Sequence, residues 1–399
     1  MASPHSESGV RCDVFVVGAG LVGLAAAIGF ARAGYRIVCC GEAEPRGHGR
    51  TVALLGPSLE ILEGFGLWPQ LAPRAAALRR LRIIDDTGSL FAPPPVTFHA
   101  HEIDLEAFGW NIENAILADA LEAAAGETDG LTRVAGKVAG FDFTEAQTTL
   151  RLEDGREFAA ALVIGADGRN SVSRKAAGIE ARAQRYPQCA LTVLLQHTRP
   201  HEDVSTEFHT RQGPFTLVPL PPAPGAPHRS SLVWVMSEAE AARRGALDDG
   251  ALAEEIERQA RAMFGAMRIE GARGIFPLAR QSVASLTAAR LALVGDAAHA
   301  FPPIGAQGLN LGLRDVADLI AATEKAADIG DAATLKRYAQ SRRLDVDLRS
   351  AVVNGLNQAL LAPYAPIDAL RGLGLAALGH IGPLRRLAMR EGLAPSFRR

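Results

Sequence analysis

The chain has 399 residues, with 42 Lys and Arg against 44 Asp and Glu, and its formal net charge is −2 at pH 7. A charge this close to neutral gives no general attraction for nucleic acid, and an apolar fraction of 48% excludes a disordered chain. The length predicts two or three domains, and four cysteines without CxxC spacing indicate neither a metal site nor a disulfide framework.

The first predicted elements form a βαβ unit. Residues 13–17 (DVFVV) are apolar and mostly β-branched, which predicts a buried parallel strand. A helix is predicted over 24–33 and a second strand over 35–40. The turn between the first strand and the helix holds the glycines of a GxGxxG motif, Gly18, Gly20 and Gly23.

These glycines suit a dinucleotide, because they allow a tight turn, close approach of a pyrophosphate and close packing of the helix. The alternative is a glycine-rich turn in an ordinary α/β domain. An acid that binds ribose is expected where the second strand ends, but Gly41 stands there. Glu42 is the nearest candidate, and its alternative role is a solvated loop carboxylate.

Further elements alternate along the chain. Helices are predicted over 56–65 and 114–125, and strands over 81–85, 148–152 and 158–164. The interval from Cys189 to Met236 contains strand patterns without a helical signal, which predicts an inserted antiparallel sheet. After Asp248 the pattern becomes helical, followed by a strand over 291–294 and then by helices.

A second motif, GADGRNS over 165–171, ends an apolar strand. The carboxylate of Asp167 can accept hydrogen bonds from backbone or sugar groups, although Asp-Gly alone indicates only a turn.

A third motif follows strand 291–294 and reads GDAAHAFPPIGAQGLN. It places Asp296 at the strand end and opens a helix near Gly305, where backbone N–H groups suit an anionic or electron-rich ligand. His299 is either catalytic or a packed histidine that orients the loop.

The three motifs, in this order, resemble the flavoprotein aromatic hydroxylases, which are single-component FAD monooxygenases of the para-hydroxybenzoate hydroxylase type. The resemblance extends over about residues 10–393. Within that class the chain looks most like the ubiquinone-biosynthesis hydroxylases. The matching segments are RTVAL after Gly49, WNIEN over 110–114, Gly213-Pro214 before VPL, and GPLRRLAMREGLAP near the C-terminus.

This resemblance implies an α/β fold with a Rossmann-like FAD-binding domain, an inserted antiparallel β-sheet substrate domain and a helical C-terminus. The expected divisions are an FAD-binding domain over 10–75, 104–183 and 275–350, a substrate domain over 76–103 and 184–274, and a C-terminal helical segment over 351–399.

Besides the candidate Glu42, the resemblance implies a set of FAD-binding residues, and it assigns no side chain as acid or base. The turn of Asp167 also serves nicotinamide-cofactor binding, and backbone groups of Pro303 and Gly305 face the substrate and the flavin. The FAD-binding set is Gly18, Gly20, Gly23, Arg50, Asn114, Asp167, Asp296, Gly305, Ala306, Gln307, Gly308, Leu309 and Asn310.

The implied reaction is hydroxylation of an aromatic ring through a flavin hydroperoxide. FAD is reduced by NAD(P)H or a redox partner, and molecular oxygen is the co-substrate. The favoured substrate is a lipophilic prenylated phenol of ubiquinone biosynthesis. Alternatives are a small aromatic acid held by a residue such as Arg211, a related flavin enzyme of another reaction class, or a non-catalytic FAD-binding member of a biosynthetic complex.

Two departures bear on the substrate. Pro302 stands where the ubiquinone hydroxylase motif has His, and Ala306 stands where it has Gly. The resulting Pro-Pro-x-Gly-Ala pattern is more similar to that of hydroxylases of simple aromatic acids.

Residues 370–387 mix leucines with arginines. They predict a basic amphipathic segment that lies on anionic lipid or packs on its own domain. We expect a cytoplasmic protein without a membrane-spanning helix, with peripheral membrane contact, a homo-oligomer or a biosynthetic complex as further options.

Overall fold

The computed structural model describes residues 10–43, 49–89, 92–301, 307–343, 345, 372, 374 and 377–393. Within them the strands form two eight-stranded sheets and one three-stranded sheet. The strands are β1 (Val10–Ala19), β2 (Ile37–Ala43), β3 (Thr51–Leu55), β4 (Ala75–Ala77), β5 (Arg80–Asp85), β6 (Val96–His99), β7 (Gly109–Glu113), β8 (Leu131–Val134), β9 (Val138–Phe143), β10 (Thr148–Leu152), β11 (Glu157–Gly165), β12 (Ala181–His197), β13 (Val204–Thr210), β14 (Gly213–Leu220), β15 (Arg229–Ser237), β16 (Met267–Val283), β17 (Thr287–Ala288), β18 (Leu291–Leu293) and β19 (His299–Ala300).

Helices flank both large sheets. They are α1 (Leu21–Arg32), α2 (Gly56–Gly64), α3 (Trp68–Leu71), α4 (Asn114–Glu127), α5 (Val172–Ala176), α6 (Glu238–Gly245), α7 (Asp249–Gln259), α8 (Gln307–Thr323), α9 (332–343) and α10 (Gly382–Leu393). None of the helices in the described ranges is both long and apolar enough to cross a bilayer.

Six strands of the first large sheet have the order β17-β18-β11-β1-β2-β8, and those from β18 to β8 run parallel. The other two, β10 and β9, extend it as an antiparallel pair in which β10 is bonded to β11. The central strand β1 is covered on both faces. Val14 and Val16 belong to the core on the α1 side, whereas Phe15 and Val17 belong to the core on the other side. Both faces are buried, which is why the run DVFVV is continuously apolar rather than alternating.

The second large sheet has the order β19-β16-β12-β15-β14-β13-β5-β6. Its pairs are antiparallel except that β13 and β5 run parallel. One face, the outer face, packs Leu191, Phe215 and Trp234 with residues of α6 and α7. The opposite face, the inner face, meets the three-stranded sheet, where the hydroxyls of Thr51 and Ser231 are 2.8 Å apart. The predicted α/β fold class is therefore confirmed, with this sheet as the inserted element.

The sequence predicted helix from Asp248 to the strand at 291, which is right for α7 and wrong for the residues after it. Helix α7 ends at Gln259, and β16 follows as a 17-residue strand. Gly271, Gly274 and Pro277 lower its intrinsic strand preference. The strand forms because it pairs along β12 as a long antiparallel ladder, which is a non-local interaction.

Candidate functional site

The glycine turn follows the carboxyl end of β1 and leads into α1. It lies next to Ala166, the residue after β11. Gly18 has a φ of +106°, and a Cβ there would lie 2.4 Å from the backbone oxygen of Ala166. A Cβ at Gly23 would lie 2.0 Å from the backbone oxygen of Gly18. Two of the three motif glycines are therefore required by backbone packing alone.

Gly20 differs, because its φ of −73° and ψ of −179° are open to every residue. It is the N-cap of the 12-residue helix α1 and, as a glycine, it has no side chain that could cap the first N–H groups. The first turn of α1 also holds no acidic residue. Its N–H groups and the positive end of the helix dipole thus suit a phosphate, so this site fits the pyrophosphate of a dinucleotide.

The glycine at position 41 has a structural cause. A Cβ there would lie 2.6 Å from the backbone nitrogen of Ala19, because β2 passes directly against the glycine turn. An acidic side chain cannot occupy that position without displacing the turn. The next residue, Glu42, is 72% exposed at its side chain and lies 3.4 Å from the ammonium of Lys137.

Arg50 and Asn114 are brought together by the small sheet. The N–H of Asn114 donates to the carbonyl of Arg50 at 3.0 Å. The Arg50 guanidinium lies 5.5 Å from the ring centre of Phe276 on β16. The Oδ1 atom of Asn114 is buried and has no partner among the residues described, so it can accept a hydrogen bond from a bound ligand.

Asp167 and Asp296 follow the neighbouring strands β11 and β18. Asp167 Oδ2 accepts hydrogen bonds from the N and Oγ of Ser173 at 3.0 and 3.1 Å. Its Oδ1 is buried without a partner in the described ranges. Asp296 is 46% exposed and lies 3.4 Å from Arg169. The parallel sheet therefore gathers both carboxylates at the edge where the glycine turn lies.

The helix of the third motif, α8, begins at Gln307. Pro303, Gly305 and Ala306 lie outside the described residues. A Cβ at Gly308 would meet no described atom within 4 Å, and Leu309 is half-buried.

Asn310 is fully engaged by protein groups. Its Oδ1 accepts from the Leu55 N–H at 2.9 Å and from the Ser58 hydroxyl at 2.6 Å, and its Nδ2 donates to the carbonyl of Ala53 at 2.8 Å. This side chain attaches α8 to β3 and α2, so only its backbone remains available to a cofactor. The sequence motif did not reveal this attachment.

His299 is a packed residue. Its Nε2 lies 2.7 Å from Asp315 Oδ2, and both side chains are 1% exposed. Asp315 also accepts from the Gly295 N–H at 2.9 Å and from Arg342 Nε at 2.5 Å. These contacts make His299 a residue that orients the turn at the start of the third motif.

Burial alone would raise the pKa of Asp315, but the positive charges of His299 and Arg342 hold it below its ordinary value. The carboxylate therefore stays ionised inside the protein.

Arg211, the candidate carboxylate ligand, is exposed in the turn between β13 and β14, and its Nε donates to the carbonyl of Thr87 at 3.0 Å. On the inner face itself, the sequence analysis missed two titratable residues, Glu207 and His209. Their spacing of two within a strand was the available signal, since such residues share one face.

Comparisons with known proteins agree with this geometry. The chain matches the FAD binding domain family over residues 11–348. Ubiquinone hydroxylase UbiL of Rhodospirillum rubrum is 32% identical over 96% of this chain and 89% of its own length. The 3-demethoxyubiquinol 3-hydroxylase of Escherichia coli K12 is also 32% identical, over 96% of this chain and 98% of its own length.

The fold matches solved structures as well. The crystal structure of p-nitrophenol 4-monooxygenase PnpA from Pseudomonas putida DLL-E4 superposes with a TM-score of 0.77 at 20% identity, covering 96% of this chain and 98% of that one. The predicted resemblance is confirmed: the chain belongs to the FAD binding domain family and is an FAD-dependent monooxygenase.

Proposed function

We propose that this enzyme hydroxylates the ring of a prenylated phenol in ubiquinone biosynthesis. The observation that carries the proposal is the nearly full-length similarity, at 32% identity, to two relatives named for hydroxylation in that pathway. The inner face and the C-terminal helices give it a structural basis.

FAD would be held at the edge formed by the glycine turn. When bound, it supplies the electron transfer and oxygen activation that side chains cannot perform, with NAD(P)H or a redox partner as the electron source. The start of α1 would hold the pyrophosphate, and Glu42 is the acid nearest to a ribose. The other proposed contacts are Arg50, Asn114, Asp167, Asp296 and residues 305–310.

An apolar patch continues from the inner face onto the edge strands β5 and β6. Leu81 and Ile83 of β5 pair in register with Phe98 and Val96 of β6, so the four side chains share this face. Met389 of α10 and Leu378 pack against the same cluster. Val96 and Phe98 are buried in this cluster, at 6% and 7% exposed, whereas Leu81 and Ile83 are half-buried. The prenyl tail of a substrate would therefore contact Leu81 and Ile83 while the ring stays on the inner face.

Helix α10 packs on the sheet through one side. Arg385 Nε lies 2.6 Å from Glu102 Oε2, and its guanidinium lies 4.7 Å from the ring centre of Phe98. On the other side Leu384 and Leu387 are 41% and 57% exposed, and Ile381, just before the helix, is 50% exposed. We place this outer side, with the exposed Arg386, on an anionic membrane surface that delivers the lipophilic substrate.

The membrane contact predicts binding to vesicles. The holoenzyme should co-sediment with vesicles of phosphatidylglycerol and phosphatidylethanolamine, and the Leu384→Ser, Leu387→Ser double variant should bind at least about tenfold more weakly, because two apolar side chains no longer insert. Val172→Ser, at an exposed site on α5, is the matched control. Equal binding by the double variant would show that α10 does not contact the lipid.

The substrate is tested by deleting the gene in its source organism and measuring quinones by liquid chromatography and mass spectrometry. We expect a prenylated phenol that lacks one oxygen to accumulate. The wild-type gene should restore the normal profile, whereas a variant unable to retain FAD should not. A normal profile in the deletion strain would reject this substrate and favour a small aromatic acid.

A further inference from the structure

The inner face carries a glutamate and a histidine in a defined position. Paired residues of adjacent strands share a face, so Glu207, which pairs with Thr216 on β14 and with Ile83 on β5, lies on the inner face with His209. The FAD-binding part touches the same face, where the Thr51 and Ser231 hydroxyls are 2.8 Å apart. Glu207 and His209 therefore share the inner face with this contact, which lies two strands away on β15, and Ile83, the partner of Glu207 on β5, connects them to the apolar patch.

Glu207 and His209 form a hydrogen-bonded pair. His209 Nε2 lies 2.7 Å from Glu207 Oε1, and the Thr216 hydroxyl donates to Glu207 Oε2 at 3.2 Å. Because a carboxylate only accepts hydrogen bonds, Nε2 carries the proton, which leaves the lone pair of a neutral His209 on Nδ1. That atom is buried and has no partner in the part of the chain that the structure describes.

We propose that His209 takes up the proton of the substrate's phenol hydroxyl at Nδ1, with Glu207 fixing its tautomer. The phenol O–H bond breaks, an N–H bond forms, and a phenolate and an imidazolium result, without any oxidant or reductant. The phenolate ring is richer in electrons and reacts more readily with an electrophilic oxygen. This assignment rests on the proposed function, because it requires a phenol.

The charges around His209 support this step. Two carboxylates face it, Glu207 on its own strand and Asp85, which pairs with it in register on β5. The facing residues of β14, Pro214 and Thr216, are uncharged. Arg211, in the turn that follows β13, is exposed, and its Nε donates to the carbonyl of Thr87. Burial would raise the pKa of Glu207, but hydrogen bonds from His209 and Thr216 hold it below its ordinary value. Glu207 therefore stays anionic and stabilises an imidazolium.

The first test compares pH profiles of the FAD-loaded enzyme with a phenol that carries one geranyl group. His209→Gln should lower kcat/KM about 100-fold at pH 7, the usual contribution of a general base. Near pH 10 the loss should shrink to a few-fold, because a phenol ionises without help at about that pH. Glu207→Gln should show a smaller loss of the same form, and His101→Gln, at an exposed histidine, should match the wild type. A loss that is equal at both pH values, or no loss, would overturn the proposal.

The second test needs no turnover. Nitrogen-15 NMR of the wild-type holoenzyme should show His209 with a bare Nδ1 and a protonated Nε2, and the Glu207→Gln variant should lose this preference. The opposite tautomer in the wild type would reject the assignment. If the wild type does not hydroxylate the geranylated phenol, the proposed function fails. The NMR measurement then still shows whether His209 has the tautomer that the proposed role of the pair requires.

Discussion

Gly20→Val should give a folded protein that does not retain FAD. The backbone angles at Gly20 are open to valine, so the substitution should not strain the chain. A valine side chain at the N-cap of α1 would instead occupy the space through which a pyrophosphate reaches the helix N–H groups. We expect FAD affinity to fall at least about 100-fold, equivalent to about 2.7 kcal/mol.

The measurement is flavin content of the purified protein together with FAD titration by fluorescence quenching. Gly126→Val in α4 is the matched control, because a Cβ there meets nothing within 4 Å, and it should remain yellow. Gly23→Ala should behave differently and lose stability, since its Cβ would lie 2.0 Å from the Gly18 oxygen. A yellow Gly20→Val protein with unchanged affinity would refute the phosphate site.

Arg342→Met should destabilise the protein by about 3–5 kcal/mol, the usual cost of removing one partner from a buried ionic group. Arg342 is fully buried and pairs with Asp315, Asp318 and Asp345 at 2.5, 3.1 and 2.9 Å. Methionine fills similar space but leaves buried carboxylates with less positive charge. Because Asp315 also accepts a hydrogen bond from the Gly295 N–H and lies against His299 Nε2, the turn at the start of the third motif should loosen as well.

Urea denaturation at several pH values provides the measurement. The folded-state pKa of Asp315 is below its ordinary value. The ionised carboxylate therefore stabilises the folded protein at pH values above the unfolded pKa of about 3.9, and this stabilisation disappears as the pH falls through the folded-state pKa. The free energy of unfolding of Arg342→Met should therefore differ most from that of the wild type near pH 7, and the two values should approach each other as the pH falls. Lys336→Met, at an exposed cation on the same helix, should change stability by less than about 1 kcal/mol. A similar small change in Arg342→Met would mean that the buried network adds nothing.

The sequence predicted the parts of the fold that depend on local pattern. The run DVFVV, the glycine turn and the following helix appear as β1 and α1, because apolar periodicity and glycine positions act within a few residues. The order of the three motifs also predicted the family.

Other features depend on contacts between distant segments. Strand β16 exists through its ladder with β12, and the need for glycine at position 41 comes from the backbone of Ala19. The side chain of Asn310 is occupied by residues of β3 and α2. No local pattern contains this information, so these features become visible only in three dimensions.

The strand order of the first sheet also determines when that sheet can be completed. Strand β10 pairs with the first half of β11, residues 157–160, but the second half, residues 163–165, stays open until residues 291–293 form β18 beside it. By then the whole second sheet except β19 has been synthesised. During synthesis the nascent chain therefore carries a short unpaired apolar segment, Val163 to Gly165, for more than a hundred residues, and this segment is a site for aberrant strand pairing. Chaperone dependence and aggregation during expression should be governed by this delay rather than by the stability of the finished protein.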